Sequence, residues 1–197
     1  MGNFPIYALF AFCLGTIPTA YWAGKLLKNI DIRTCGSGNV GATNAFRVLG
    51  KGPGIAVFIL DLLKGALPVY LFTVYGTASE PVLPMVVGCA AVLGHVFTPF
   101  LGFKGGKGVA TGAGVLLGAH PNLFLITLSA WILLFLATKI VSLSSLAAVS
   151  ALLGAVFLQT TDSKTRIIFL LIMLFIYWTH RANIQRLLRG KEKRMVN

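Results

Sequence analysis

Long apolar blocks separated by short polar breaks set the pattern of this chain, without the strict alternation that marks a half-buried strand. Seven blocks read as membrane-spanning helices: Phe4–Gly24, Gly54–Tyr75, Val82–Phe100, Val109–Ala119, Leu123–Thr138, Leu143–Thr160 and Ile167–Thr179. Each except the fourth has the length or the apolar content that a helix in lipid requires. The fourth is too short to cross ~30 Å of hydrocarbon as a regular helix, so it starts in the Gly-rich loop before it or lies where the bilayer is thinned. His120-Pro121-Asn122 breaks it from the fifth. Lys25 and Lys28 follow the first apolar run, whereas a signal peptide carries its positive charges ahead, so this run reads as a retained first span with the N-terminus outside. With no internal repeat and no linker, residues 1–197 read as a single membrane-embedded domain.

Composition sharpens that picture. Charged residues make up only 11% of the chain, about half the usual share of a soluble domain. The net charge of +12 would fit a nucleic-acid binder, but such a domain would not carry uninterrupted apolar sequence of this kind, and no nucleic-acid partner is expected. The placement of the charge is more telling. Fourteen of the seventeen basic residues fall on the side reached after the first span, two (Lys164 and Arg166) on the other, and Lys64 within a span. Cytoplasmic loops retain Lys and Arg, so the basic side and the C-terminus are cytoplasmic. Cys13, Cys35 and Cys89 are isolated, so neither a disulfide framework nor a zinc site is indicated, and Cys13 and Cys89 read as small buried hydrophobes within spans.

Three polar segments interrupt the spans on that one side. In the first, Cys35 to Arg47, Gly36, Gly38 and Gly41 let the backbone approach a ligand, Ser37, Asn39, Thr43 and Asn44 offer neutral hydrogen bonds, and Arg47 can meet a phosphate with two parallel donors. A plain connector needs less glycine and amide. The second, Gly102 to Thr111, brackets Lys104 and Lys107 with Gly105, Gly106 and Gly108 ahead of a helix, which suits a phosphate cradle, although a flexible turn with two topogenic lysines fits equally well. It is not a nucleotide P-loop, for Leu101 and Gly108 stand where that pattern needs glycine and a hydroxyl residue. The third, Thr179 to Arg189, puts His180 and Asn183 on one helix face above residues suited to a membrane surface, and a histidine that merely caps the last turn of the seventh span is the competing reading. Ser142 and Ser145 at the mouth of the sixth span are lesser candidates, equally readable as an N-cap.

Asp61 and Lys64, one turn apart within the second span, read as an ion pair facing the bundle, with a possible supporting role for the site; His95 and His120 read as structural. The only carboxylates on the basic side are Asp31 and Glu192, too few for a multi-carboxylate metal site, so no metal and no cofactor is expected. That excludes metal-dependent phosphotransferases built on several aspartates. Acyltransferases with an aspartate five residues after a catalytic histidine are excluded too, because Phe100, Leu125 and Gln185 occupy the corresponding positions. A metal-free reaction between anions remains, beside a transporter or channel for small phosphorylated anions and a non-catalytic scaffold.

The segments GSGNVGATNAFR, KGGKGVAT and HRANIQRL, with DLLKG and SLSS between them, resemble those of the bacterial acyl-phosphate:glycerol-3-phosphate acyltransferases, the PlsY family, in order and topology over nearly the whole chain. The resemblance implies a seven-helix bundle in the bacterial inner membrane with its active site facing the cytoplasm. It implies transfer of a fatty acyl group from acyl phosphate to the 1-hydroxyl of glycerol 3-phosphate, giving lysophosphatidic acid and inorganic phosphate. Ser37, Arg47, His180 and Asn183 would be essential to activity, and Gly105–Gly108 with Lys104 would bind phosphate. Where the family often has a structural glutamate, Ala182 stands here, which puts the local packing in question. Direct attack without a covalent intermediate is expected, with the hydroxyl proton passing to His180 or to the substrate's own phosphate. The oligomeric state is not written in the sequence; a monomer is the favoured expectation.

Overall fold

The computed structural model describes residues 2–77 and 80–195, and its contacts divide into two compact units, Met1–His120 and Pro121–Asn197. In the first unit the described helices are α1 (Phe4–Gly15), α2 (Thr19–Lys28), α3 (Ala42–Leu49), α4 (Lys51–Tyr75), α5 (Leu83–Val96) and α6 (Val109–Ala119). In the second they are α7 (Pro121–Thr138), α8 (Val141–Gln159), α9 (Ser163–Thr179) and α10 (Arg181–Leu188).

All seven predicted blocks are helical, but not all are membrane-length. Among the described residues, five segments are long and apolar enough to cross: Phe4–Lys28, Lys51–Tyr75, Leu83–Leu101, Pro121–Thr138 and Val141–Gln159. A sixth is reached only if α9 and α10, bent by 64° at His180, are taken as one span. Helix α6 has 11 residues and a length of ~16 Å, so it falls short of the hydrocarbon thickness. The first predicted span is two helices, because Pro18 lacks an N–H for the ladder and its ring disfavours helical backbone before it. Its second half continues to Lys28 and stops where Asn29 turns left-handed (φ 53°), while the N–H groups of Asn29 and Ile30 close back on the carbonyls of Lys25 and Gly24.

Close helix contact in the first unit is made through glycine. Gly65 on α4 and Gly114 on α6 lie against each other's backbones: a side chain on Gly65 would strike the Thr111 carbonyl, and one on Gly114 the Leu62 carbonyl. Gly15 on α1 and Gly94 on α5 likewise meet the carbonyls of Ala91 and Phe12. In lipid, where apolar neighbours give no hydrophobic advantage, such backbone contact is a main source of helix association.

Both units present apolar side chains outwards, among them Ile6, Leu26 and Tyr70 in the first and Leu133, Leu136 and Leu158 in the second. A water-soluble surface does not tolerate this density of exposed hydrocarbon. The chain is a multi-pass membrane protein. Cys13 is exposed on α1, against the expectation that it would be buried, because that face of the helix points away from the α4 and α5 contacts that bury Ala11 and Gly15.

Candidate functional site

The first polar segment is a loop folded onto a helix. Residues 42–47, expected to be loop, form the start of α3, and Gly36 and Gly38 take positive φ (64° and 72°) that a residue with a side chain adopts only under strain. Asn44, wholly buried on α3, holds the loop in place. Its Oδ1 accepts the Ser37 N–H at 2.8 Å, and its Nδ2 donates to the carbonyls of Ile32 and Cys35, both at 3.1 Å. Both of its polar atoms are occupied within the loop, so Asn44 braces the segment instead of reaching a ligand, a correction to its predicted binding role. Ser37 is left exposed at the tip, Gly38, Asn39 and Thr43 are half-buried around it, and Arg47 is half-buried one turn further along α3.

Glycine caps α3 at Gly41, with no side chain to satisfy the first amides of the helix. The second segment repeats the device. Gly102 and Gly108 turn at φ 63° and 83°, and Gly108 caps α6 without a side chain. Between them the Gly105 N–H donates to the Val96 carbonyl (2.9 Å) and the Gly106 N–H to the His95 carbonyl (3.1 Å), which seats the loop on the end of α5. Lys104 is exposed and Lys107 half-buried on either side of that seat. The turn before the loop is anchored in the same apolar cluster as the first segment, for Leu101 packs with Ile32, Ala45, Leu49 and Val57. Three described helices of the first unit start at a glycine, α3, α4 and α6, and two of these starts, at Gly41 and Gly108, directly follow the polar segments, with Lys104 and Lys107 before the second and Arg47 in the last turn of α3.

Asp31 sits beside the first segment. Arg33 grips its carboxylate with Nε–Oδ1 at 3.0 Å and Nη2–Oδ2 at 2.7 Å and holds its pKa down to about 2. At neutral pH that acid is ionised and already matched by a cation, so it adds little repulsion to an arriving anion.

In the second unit the third segment is built around a carboxylate that the sequence reading left unassigned. Glu192 Oε1 accepts from Ser142 Oγ (2.7 Å) and Asn183 Nδ2 (2.6 Å), and Oε2 accepts from Arg186 Nε (2.6 Å). Its side chain is 8% exposed. Burial works to raise its pKa, but the hydrogen bonds from Ser142, Asn183 and Arg186 outweigh that, and the carboxyl lies below its ordinary range. A signal was present: Glu192 is the only acid among the six basic residues after His180.

His180 is buried at the junction of α9 and α10, and its Nδ1 lies 2.8 Å from the Ile176 carbonyl. A carbonyl only accepts, so this bond places a proton on Nδ1 and, in the neutral ring, the lone pair on Nε2. The capping reading and the catalytic reading are compatible, since the cap sets the tautomer a base requires. Ser145, in contrast, donates to the Val141 carbonyl (2.9 Å) and accepts from Trp131 Nε1 (3.2 Å), which gives it a helix-packing role in place of the predicted binding one.

Within the first unit, Asp61 and Lys64 form the expected pair at 2.7 Å, both buried. Two partners were not expected. Thr19 Oγ1 donates to Asp61 Oδ1 at 2.5 Å, and Lys64 Nζ donates to the Ile17 carbonyl freed at the Pro18 break.

A family profile described as glycerol-3-phosphate acyltransferase matches residues 5–190. The chain is 40% identical over 188 residues to the glycerol-3-phosphate acyltransferase of Fusobacterium nucleatum subsp. nucleatum, covering 95% of this chain and 96% of that protein. It is 45% identical to that of Macrococcus caseolyticus, over 95% and 94% of the two chains. Crystal structures of PlsY (YgiH), an integral membrane glycerol 3-phosphate acyltransferase, superpose with a TM-score of 0.87 in the glycerol 3-phosphate form, at 38% identity and over 98% of this chain and 96% of that one. The lysophosphatidic acid form gives 0.87 at 39% identity, over 98% and 95%.

Proposed function

The chain belongs to the glycerol-3-phosphate acyltransferase family, and from that premise we propose that it transfers a fatty acyl group from acyl phosphate to the 1-hydroxyl of glycerol 3-phosphate, yielding lysophosphatidic acid and inorganic phosphate. It is an acyltransferase of phospholipid synthesis. Family membership assigns turnover, which a carrier of phosphorylated anions would lack. The observation that carries the site assignment is the pair of glycine-capped helix starts that directly follow the first two polar segments, at Gly41 and Gly108, with Arg47 on the first helix and Lys104 and Lys107 just before the second. Both substrates bring phosphate, and both helix starts offer amide donors to an anion.

In the proposed reaction the 1-hydroxyl oxygen attacks the acyl carbonyl carbon, the new ester C–O bond forms, and the carbonyl carbon's bond to the phosphate oxygen breaks. Phosphate leaves with that electron pair. The mixed anhydride is already activated, so no enzyme nucleophile is required, and positioning with charge neutralisation supplies the catalysis. Arg47, Lys104 and Lys107 hold phosphate oxygens, with the Gly105–Gly106 turn, seated on the end of α5, spacing the two lysines; Ser37, Gly38, Asn39 and Thr43 orient the substrate at the first helix start. His180, with its Nε2 lone pair set by the Nδ1 bond, receives the hydroxyl proton or orients the hydroxyl while phosphate receives it. Asn183 and Ser142 are held by Glu192.

We place the protein in the bacterial inner membrane as a single seven-span domain and a monomer, N-terminus outside, C-terminus and site cytoplasmic. The fourteen-to-two division of basic residues supports that orientation, and the count of seven takes α6 as a short span in a thinned bilayer. The test uses purified protein in detergent with palmitoyl phosphate and glycerol 3-phosphate in EDTA. Phosphate release is expected only with both substrates, and Arg47→Ala is expected to lower kcat/KM by about 100-fold or more. Acyl chain retained on the denatured protein would replace direct attack with a covalent route.

A further inference from the structure

The second polar segment rests on a histidine that has no part in the proposed chemistry. His95 closes α5 and is buried. Its carbonyl receives the Gly106 N–H, and the Nε2 edge of its ring lies against Gly106, so a Cβ there would run into Nε2. A Cβ on Gly105 would strike the His95 carbonyl. Gly106 does not have positive φ, so its lack of a side chain answers to the ring and not to backbone strain. On its other edge, Nδ1 faces Asp61 Oδ1 at 3.7 Å, and that carboxylate is held by Lys64 (2.7 Å) and Thr19 (2.5 Å). Lys64 in turn is tied to the Ile17 carbonyl. A continuous contact path therefore runs from the α1–α2 break through Asp61 and His95 to the peptide between Lys104 and Lys107.

We propose that His95 is a positioning residue for the phosphate loop: its ring and carbonyl fix the Gly105–Gly106 turn and with it the separation of Lys104 and Lys107, while Asp61, itself held by Lys64 and Thr19, faces the other edge of the ring. This rests on the reading of residues 104–108 as phosphate-binding. A displacement of 1 Å at such a site costs up to ~100-fold in rate or affinity, which is the scale on which a seat of this kind matters.

The test is a double-variant cycle in detergent-purified enzyme, with melting temperature recorded beside kcat and KM. Lys104→Ala identifies the substrate whose KM depends on the loop; if it changes neither constant, the phosphate-loop reading fails and this proposal with it. Given that substrate, His95→Ala is expected to raise its KM roughly tenfold in folded protein, and His95→Asn, which keeps a polar amide near Asp61, to restore part of the loss. Gly106→Ala is expected to be as damaging or worse. The pair His95→Ala/Gly106→Ala is expected to fall well below the product of the singles, because removing the ring makes room for the methyl. If Gly106→Ala alone yields no folded protein, recovery of folded protein in the pair is the same coupling. A folded His95→Ala with unchanged KM, or a pair no better than the singles multiplied, overturns the proposal while leaving the phosphate loop standing.

Discussion

Asn44 and Glu192 divide the work of holding polar segments in place, and neither task is visible in a linear reading. Asn44 stands in a run of hydrogen-bonding side chains and resembles a ligand contact; only the fold shows its amide spent on Ser37, Ile32 and Cys35. Asn44→Ala leaves the Ser37 N–H without its partner and takes one of two donors from each of the Ile32 and Cys35 carbonyls, and is expected to cost about 1–3 kcal/mol, seen as a lower melting temperature together with reduced kcat/KM. Glu192 sits in a string of charges that reads as a topogenic tail, yet its partner Ser142 is 50 residues away. Glu192→Ala is expected to lose about 1–3 kcal/mol for the same reason. Its folded pKa is depressed below 4.5, so its stabilisation is fully present above that value and is lost as pH falls through the lowered folded pKa. Melting temperature followed from pH 7 to pH 3 should decline less steeply in Glu192→Gln than in the parent. Asp61–Lys64 was legible because its partners lie three residues apart, whereas His95 was not, since its contact with Gly106 is made by a ring edge and a carbonyl.

Helices were easier to read than their ends. Apolar block length located all seven segments, because each is defined by local composition. Pro18 lies inside the first predicted span and splits it into two helices, and α3 lies in a segment that reads as polar loop because it follows a glycine-rich stretch and includes Asn44 and Arg47. Glycine spacing carries the packing of α4 on α6. Gly65→Leu or Gly114→Leu must separate two backbones and is expected to destabilise by about 3 kcal/mol or to prevent folding. Gly154→Ala offers the contrast, being helical on α8 with no atom within 4 Å of the added methyl, and is expected to leave the melting temperature unchanged or higher. Thermal unfolding in one detergent across the three variants checks both statements.

For the molecule as a whole, the sequence carries an asymmetry of charge that a fold without a bilayer does not display. Single cysteines introduced at Ser163 and Lys193, after Cys13, Cys35 and Cys89 are replaced, should be labelled by an impermeant maleimide from opposite faces. Ser163 is expected to react in intact cells with the outer membrane permeabilised, and Lys193 only after the inner membrane is opened. Reaction of both from one side would require one span fewer than the seven proposed. Membrane character and family were readable at this scale because they rest on block lengths and motif order. The convergence of Ser142, Asn183 and Arg186 on one acid was not, because it depends on how the chain returns upon itself after α10.

That return has a practical side. The Met195 N–H donates to the Lys139 carbonyl at 2.7 Å, so the stretch from Glu192 to Met195 is a clasp stitched back to the head of α8. A stop codon or protease site placed before Glu192 would remove the clasp, whereas a purification tag or fluorescent fusion joined after Met195 would spare it. Anyone engineering this enzyme should treat Glu192 and the backbone from there to Met195 as machinery to be preserved, and a handle attached there needs a linker that lets the clasp close.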